Sequence, residues 1–353
     1  MLAYFLSFKS INAAVAHYNE KKMKTEKHPI SIFTWHIHGT YLYYLSQGDY
    51  QIYIPVSAEK QEGYYGRGST FPFGDNVIEV PPEEVKNLDI DVILFQSNKN
   101  WLADQYEILT EEQRRLPRIY LEHDPPQHSP TDTKHVVNDP EVVIVHVTHF
   151  NKLMWDNKNS KDVQVIEHGV IAPRVKYTGE LEKGIVVVNN LQRRGRRLGA
   201  DIFMEVSKHI PLDLIGMNSK ENGGLGEITQ TQLPEFISHY RFFFNPIRYT
   251  SMGLAVIEAM MTGLPVLALA TTEQVSVIKN YETGFIDTDI DYLFHKMKLL
   301  LTNKSLAYKI GEEGKKYAVD RFDINRFTEE WKNIFESAVA KNENYEKENR
   351  IYQ

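Results

Sequence analysis

Cysteine is absent from the chain. That excludes a disulfide framework and a cysteine-ligated metal, and it suits a reducing compartment. Positive charge is in deficit: the formal net charge is −7, which argues against a chain built to bind nucleic acid. No apolar run approaches the ~20 residues needed to span a bilayer. The opening Met1–Phe8 is apolar, and Ala14-Val15-Ala16 has the look of a signal-cleavage site. However, no Lys or Arg precedes the run, and Lys9 and His17 interrupt the stretch. Residues 1–23 therefore read as an N-terminal extension, either ahead of a start at Met23 or as a short surface helix, with membrane contact at most peripheral. Low-complexity tracts are missing, so extensive disorder is not expected. Also missing are the dinucleotide fingerprint Gly-x-Gly-x-x-Gly, the phosphate-binding lysine motif and the serine nucleophile elbow.

What remains is an ordinary globular composition, 42% hydrophobic and 25% charged over 353 residues, long enough for two domains of roughly 150 residues each. Short apolar runs recur at Ile30–Trp35, Gln51–Val56, Ile90–Phe95, Arg118–Leu121, Val142–Val147 and Val163–Ile166. They resume at Ile185–Val188, Leu212–Ile215, Phe242–Phe244 and Val266–Leu269. Most are rich in β-branched or aromatic residues, as buried parallel strands are. Helical patterns such as Leu254–Met261 separate them, so the expectation is an α/β protein with doubly wound sheets. The pattern runs twice, with a break near Gly169–Gly184 where Val170-Ile171-Ala172-Pro173-Arg174 has linker character. The boundaries expected are 24–170 and 171–322, followed at 323–353 by a helix with Ile324, Phe327, Trp331, Ile334, Phe335 and Ala338 near helical spacing.

Four segments carry candidate chemistry. In Asn245–Val266 a strand ends, a turn follows, and a helix runs from Gly253 to Gly263 before Pro265 opens the next strand. Gly253 falls at the helix entrance, where backbone amides attract anions. Glu258, one turn in, is placed to accept hydrogen bonds from a ribose diol. In Val186–Arg197 the arginines 193, 194, 196 and 197 surround Gly195 after a strand, an anion trap by bidentate guanidinium pairing. Which of the four point inward is left open by the sequence. The loop Trp35-His36-Ile37-His38-Gly39 closes the first strand at the sheet edge where doubly wound folds bind ligands. There His36 and His38 are candidates for substrate contact, and His36 equally for a structural hydrogen bond. The fourth, Glu122-His123-Asp124-Pro125-Pro126, also ends a strand. Loops at Gly216, at 222–226 and at Thr271-Thr272-Glu273 share that edge. His123, His128, His135, His146 and His149 crowd one region without zinc-like spacing, so no metal is expected.

The run Gly253-Leu-Ala-Val-Ile-Glu258-Ala-Met-Met-Thr-Gly263-Leu-Pro265-Val resembles the donor-binding signature of the retaining GT-B glycosyltransferases of family 4, also called group 1. The likeness covers most of residues 30–335 and is dense in the second half. It implies two Rossmann-like domains facing a cleft, 24–170 on the acceptor side and 171–322 on the donor side, with the last helix crossing back to the first. In that family two glutamates stand eight positions apart. Glu258 matches the second, which holds the nucleotide ribose, whereas Thr250 stands where the first would contact the donor sugar. The turn Thr250-Ser251-Met252-Gly253-Leu254 is expected to line the donor. Arg194-Gly195 resembles the family's Lys-Gly, and Asn190 stands where the family has Arg. Gly39 matches the glycine-containing loop beside the diphosphate. His123 matches a histidine near the donor sugar, with Asp124 expected to fix its imidazole.

The resemblance implies transfer of a hexosyl group from a nucleotide-diphosphate sugar to an acceptor hydroxyl, with retention of configuration and no metal or other cofactor. Expected partners are the donor and a carbohydrate or lipid-linked acceptor, as in polysaccharide assembly, and not nucleic acid. The location expected is cytoplasmic, at most peripheral at the inner membrane face. Three rivals follow from the same residues. Thr250 motivates a non-catalytic sugar-nucleotide sensor, and the scaffold also suits a sugar-nucleotide epimerase. A two-domain periplasmic-type binder is disfavoured by the arginine loop.

Overall fold

The computed structural model describes residues 29–157 and 159–351, with side chains as far as residue 342 except at position 222. The extension expected at 1–23 lies outside the described residues. Among them, twelve strands form two all-parallel sheets. The first holds β1 (Ser31–Thr34), β2 (Gln51–Pro55), β3 (Val77–Val80), β4 (Val92–Phe95), β5 (Arg118–Glu122), β6 (Val143–His146) and β7 (Val163–Val165), in the order β3-β2-β1-β4-β5-β6-β7. The second holds β8 (Leu181–Val187), β9 (Leu212–Ile215), β10 (Tyr240–Asn245), β11 (Val266–Leu269) and β12 (Gly284–Asp287), in the order β12-β11-β10-β8-β9.

The central strands are apolar on consecutive positions because helices cover both faces. Every residue of β4, β6, β10 and β11 is buried. Two strands escape the sequence pattern, β3 and β12, and both lie at sheet edges. In β3, Glu79 interrupts the apolar run and is exposed. The short β12 starts on Gly284 and ends on Asp287.

Five helices shape the space between the sheets: α1 (Gly39–Leu45), α2 (His149–Met154), α3 (Leu254–Thr262), α4 (Lys304–Arg321) and α5 (Ile324–Ile351). In α3, the run Val256–Thr262 is buried, and the helix stops where Gly263 takes φ +97°, a left-handed value that suits glycine. A Cβ at Gly311 of α4 would collide with the Gly263 carbonyl, so α4 lies directly against that turn.

α5 packs on the first sheet's side. Phe327, Trp331 and Phe335, four apart on one face, have no exposed surface. Trp331 Nε1 donates to Tyr41 Oη at 3.0 Å, and Phe335 meets Tyr50 edge-on at 5.2 Å. The chain leaves the first sheet and re-enters its side at adjacent points: Val170 N–H donates to Phe322 O at 2.9 Å. One apolar core runs through this seam, from Tyr41 and Leu42 to Met260, Met261 and Phe327.

Candidate active site between the two sheets

In an open parallel sheet, ligands sit beyond the carboxyl ends of the strands where the strand order reverses. The first sheet reverses between β1 and β4, the second between β8 and β10. The loops leaving those four strands carry His36 and His38, Gln96, the arginine cluster, and the turn into α3. Most of the sequence-derived candidates thus lie at two switch points that face each other, with His123 and Asp124 on the next strand end, after β5.

On the first side, His38 caps α1 and opens into the cleft. Its ring lies 4.0 Å from that of His123. The surrounding protein withdraws enough water to lower its pKa, with Asp124 and Glu62 pulling it up and Arg194 pushing it down. His123 is buried, and burial, then the neighbouring imidazoles, hold its pKa well below the ordinary value. It is therefore neutral near pH 7. Gln96 Nε2 donates to Thr34 Oγ1 at 2.8 Å and to Trp35 O at 3.0 Å, which turns its Oε1 toward His123 Nε2 at 3.0 Å. The proton therefore sits on Nε2, and Nδ1 is left as an acceptor.

One expectation on this side is corrected. Asp124 does not hold the His123 imidazole; Gln96 does. The strand ends at Glu122 and the chain bends at Asp124. The Asp124 carboxylate instead meets Thr250 Oγ1 at 3.4 Å and lies beside Arg194. Gly39 is small for a packing reason, since a Cβ there would collide with Phe71. His36 takes the structural role: its Nδ1 lies 2.5 Å from Gly66 O, and burial lowers its pKa.

On the second side the arginines separate. Arg194 is half-buried and makes no ion pair among the described residues. Burial, then Arg197, lowers its pKa while Asp124 opposes the shift. Arg196 is exposed and pairs with Asp201 at 2.5 Å. Arg193 is exposed, and the half-buried Arg197 lends its carbonyl to Arg248 N–H at 2.9 Å. Arg248 in turn grips Asp201 at 2.6 and 2.9 Å, which fixes the loop. Asn190 adopts φ +53° and accepts from Asn218 Nδ2 at 2.6 Å.

Ser251 and Met252 are buried, and Met252 O accepts from His168 Nε2 at 2.8 Å. Leu254, half-buried, opens α3. Gly253 caps α3, and a Cβ there would meet no atom within 4 Å. Glu258 is 5% exposed. Its Oε1 accepts from Tyr44 Oη at 2.7 Å and from Gln230 Nε2 at 2.6 Å, while burial raises its pKa.

Across the cleft Tyr249 Oη donates to Pro126 O at 3.1 Å, and Phe150 N–H at the start of α2 donates to Glu273 at 2.9 Å. Thr271 Oγ1 donates to Ile247 O at 3.3 Å. The crowded histidines find separate partners. His135 Nε2 faces Glu122 at 3.3 Å, and His146 Nε2 faces Asn157 at 3.2 Å. Among the described residues no group of three or more His, Cys, Asp or Glu is arranged to hold a metal ion. No helix among them is long and apolar enough to cross a membrane. Sequence reading missed Gln96, Tyr44, Gln230 and His168. Only Gln96, the first residue after β4, stood at a position that could have flagged it.

Residues 220–317 match the model of the family described as glycosyl transferases group 1. An uncharacterized glycosyltransferase of Haemophilus influenzae is 22% identical over 213 residues, which cover 54% of this chain and 60% of that protein. The chain thus spans three-fifths of that relative's length. Among solved structures, a sucrose-phosphate synthase from Thermosynechococcus elongatus aligns with a TM-score of 0.66 at 13% identity, covering 89% of this chain and 100% of that one. HepE from Anabaena, solved in complex with UDP and glucose, aligns with a TM-score of 0.60 at 12% identity, covering 88% and 100%. At such identity the likeness establishes the fold: this is a GT-B architecture, and the stretch that matches the group 1 model takes in β10 to β12 of its second sheet.

Proposed function

We propose that this protein transfers a hexosyl group from a nucleotide-diphosphate sugar to an acceptor hydroxyl, with retention of configuration and without a divalent metal. Residues 171–322 form the donor half, residues 24–170 the acceptor half, and the last helix belongs with the acceptor half. What supports the reading is that Arg194 follows β8 and Glu258 lies in the helix after β10, at the switch point of the second sheet, while His123 follows β5 and meets His38 beside the switch point of the first.

Glu258 takes the ribose. Arg194, half-buried and without an ion pair among the described residues, takes the diphosphate with the N-terminus of α3, and Arg197 adds to the positive field. In the reaction the bond between the sugar's anomeric carbon and the diphosphate breaks as the acceptor oxygen bonds that carbon from the same face. The acceptor's proton passes to the departing phosphate oxygen, whose charge the arginines stabilise where water is scarce. Neutral His123 orients a donor-sugar hydroxyl through Nδ1.

Calorimetric titration with UDP, GDP, ADP and CMP tests the donor site. One nucleotide should bind, and Glu258→Ala should lose about 1–3 kcal/mol of that affinity. No binding by the wild type sinks the reading. An inverted product by NMR, or loss of turnover in EDTA, removes the finer claims. Thr250, which places no carboxylate at its position, favours a second reading as a non-catalytic sugar-nucleotide binder. That reading predicts nucleotide binding without transfer to any acceptor.

A further inference from the structure

Three side chains of the α1 segment, at positions 38, 41 and 44, repeat at a spacing of three along one helix face and look into the seam. His38 meets His123. Tyr41 receives Trp331 and packs edge-on against His168, which bonds Met252 O just before α3. Tyr44, 3% exposed, reaches across to the other half and donates to Glu258 Oε1 at 2.7 Å. Gln230 Nε2 donates to the same oxygen at 2.6 Å and to Tyr44 Oη at 2.9 Å, closing a triangle.

One carboxylate oxygen therefore holds two donors. No donor among the described residues reaches the other, Oε2. Oε2 is not among the buried side-chain atoms that lack a partner, so it is open to solvent, where an incoming hydroxyl can take its place. A vicinal diol brings the O–H donors that this oxygen lacks.

We propose that Tyr44 is the positioning residue of the nucleotide site. Supplied by the opposite half of the molecule, its hydroxyl fixes Glu258 Oε1 with Gln230, so that Oε2 stands ready for a ribose hydroxyl. This deepens the assignment of Glu258 to the ribose and rests on it. It makes ribose recognition a property of both halves together. The preference for a nucleoside diphosphate with an intact diol then depends on a side chain that the second half does not contain.

The test is calorimetry on the full chain with UDP and with 2′,3′-dideoxy-UDP, for wild type, Tyr44→Phe, Gln230→Leu and Glu258→Gln. Wild type should prefer UDP. Tyr44→Phe should weaken UDP about tenfold, roughly the 1.4 kcal/mol of one hydrogen bond to a charged group, and leave the dideoxy nucleotide unchanged. Gln230→Leu should act in the same direction, which keeps the test alive if the tyrosine variant folds poorly. Losing a donor also raises the Glu258 pKa. The pH below which UDP affinity declines should therefore move upward in Tyr44→Phe. UDP binding that is unchanged or tighter in Tyr44→Phe overturns the proposal, as does equal weakening of both nucleotides. If Glu258→Gln loses UDP affinity while Tyr44→Phe does not, only the positioning role fails. If Glu258→Gln binds UDP as wild type does, or wild type binds none, the ribose assignment fails with it.

Discussion

At the switch point of the second sheet the chain places arginines, a glycine-led helix end and a buried glutamate. At that of the first it places aromatic rings and neutral imidazoles. Both halves are parallel α/β layers, yet their sites differ in kind. An anion-binding edge needs backbone amides and fixed charge at set distances from a strand end, and few residue patterns supply them. The edge opposite holds the carboxylate of Asp124 but relies largely on hydrogen bonds between uncharged groups, such as Gln96 to His123, which many residue pairs could replace. The family pattern covers 220–317, which takes in the glycine-led helix end and Glu258 but neither the arginine loop nor any part of the first sheet.

The largest expected effect would break this comparison at its structural base. Trp331→Ala should cost about 3–5 kcal/mol of folding free energy, as large aromatic truncations in cores do. The loss should be seen first in the first half, to which α5 is bound. All four tryptophans, 35, 101, 155 and 331, lie in the first half or α5. Denaturant unfolding followed by tryptophan emission, compared with nucleotide binding as the probe of the second half, separates the two. Simultaneous loss of both signals would mean that the halves are one cooperative unit.

Acid should act on the same side. Burial lowers His146 to about 3 and His168 to about 4, from an unfolded value near 6.5. Both are neutral when folded, so the unfolded chain binds more protons below pH 6.5. Stability is full above that pH and falls as pH drops toward 4, by at most about 1.4 kcal/mol per pH unit for each histidine. Replacing His146 by Gln should flatten the slope of the denaturation midpoint against pH; an unchanged slope refutes the assignment. The smallest effect separates two neighbouring arginines. Arg194→Ala should weaken UDP about tenfold, in line with losing a charge-assisted contact. Arg196→Ala, which loses only an exposed pair with Asp201, should leave affinity near wild type. Equal effects would show that the loop acts by diffuse charge alone.

Much of the scaffold was legible. Leu212–Ile215 and Val266–Leu269 are strands at the bounds that the apolar runs gave. Buried parallel strands have little choice of residue, whereas the edge strands β3 and β12 are free to be polar and were missed. Of the site, positions at strand ends could be read, because the alternation of elements fixes them. Partners could not. Glu258 meets Tyr44 across 214 residues, and nothing local in either segment encodes that contact. The pairing of His123 with Asp124 looked natural from adjacency, yet past the end of β5 the two side chains take different partners, Gln96 and Thr250.

The bond from Trp331 to Tyr41 closes over 290 residues. Taken with the adjacent exits at Val170 and Phe322, it makes the second sheet an insertion within the first unit. During synthesis the order of completion is then reversed. The inserted half has all its strands once Asp287 has emerged, and the helix Ile290–Thr302 and then α4 follow. The half made first must wait, with Tyr41 and Tyr50 uncovered, until α5 leaves the ribosome. A chain stopped before Trp331 would carry a finished second half and an open first one. The apolar face of α1 is then the surface it would offer to the cell's holding chaperones.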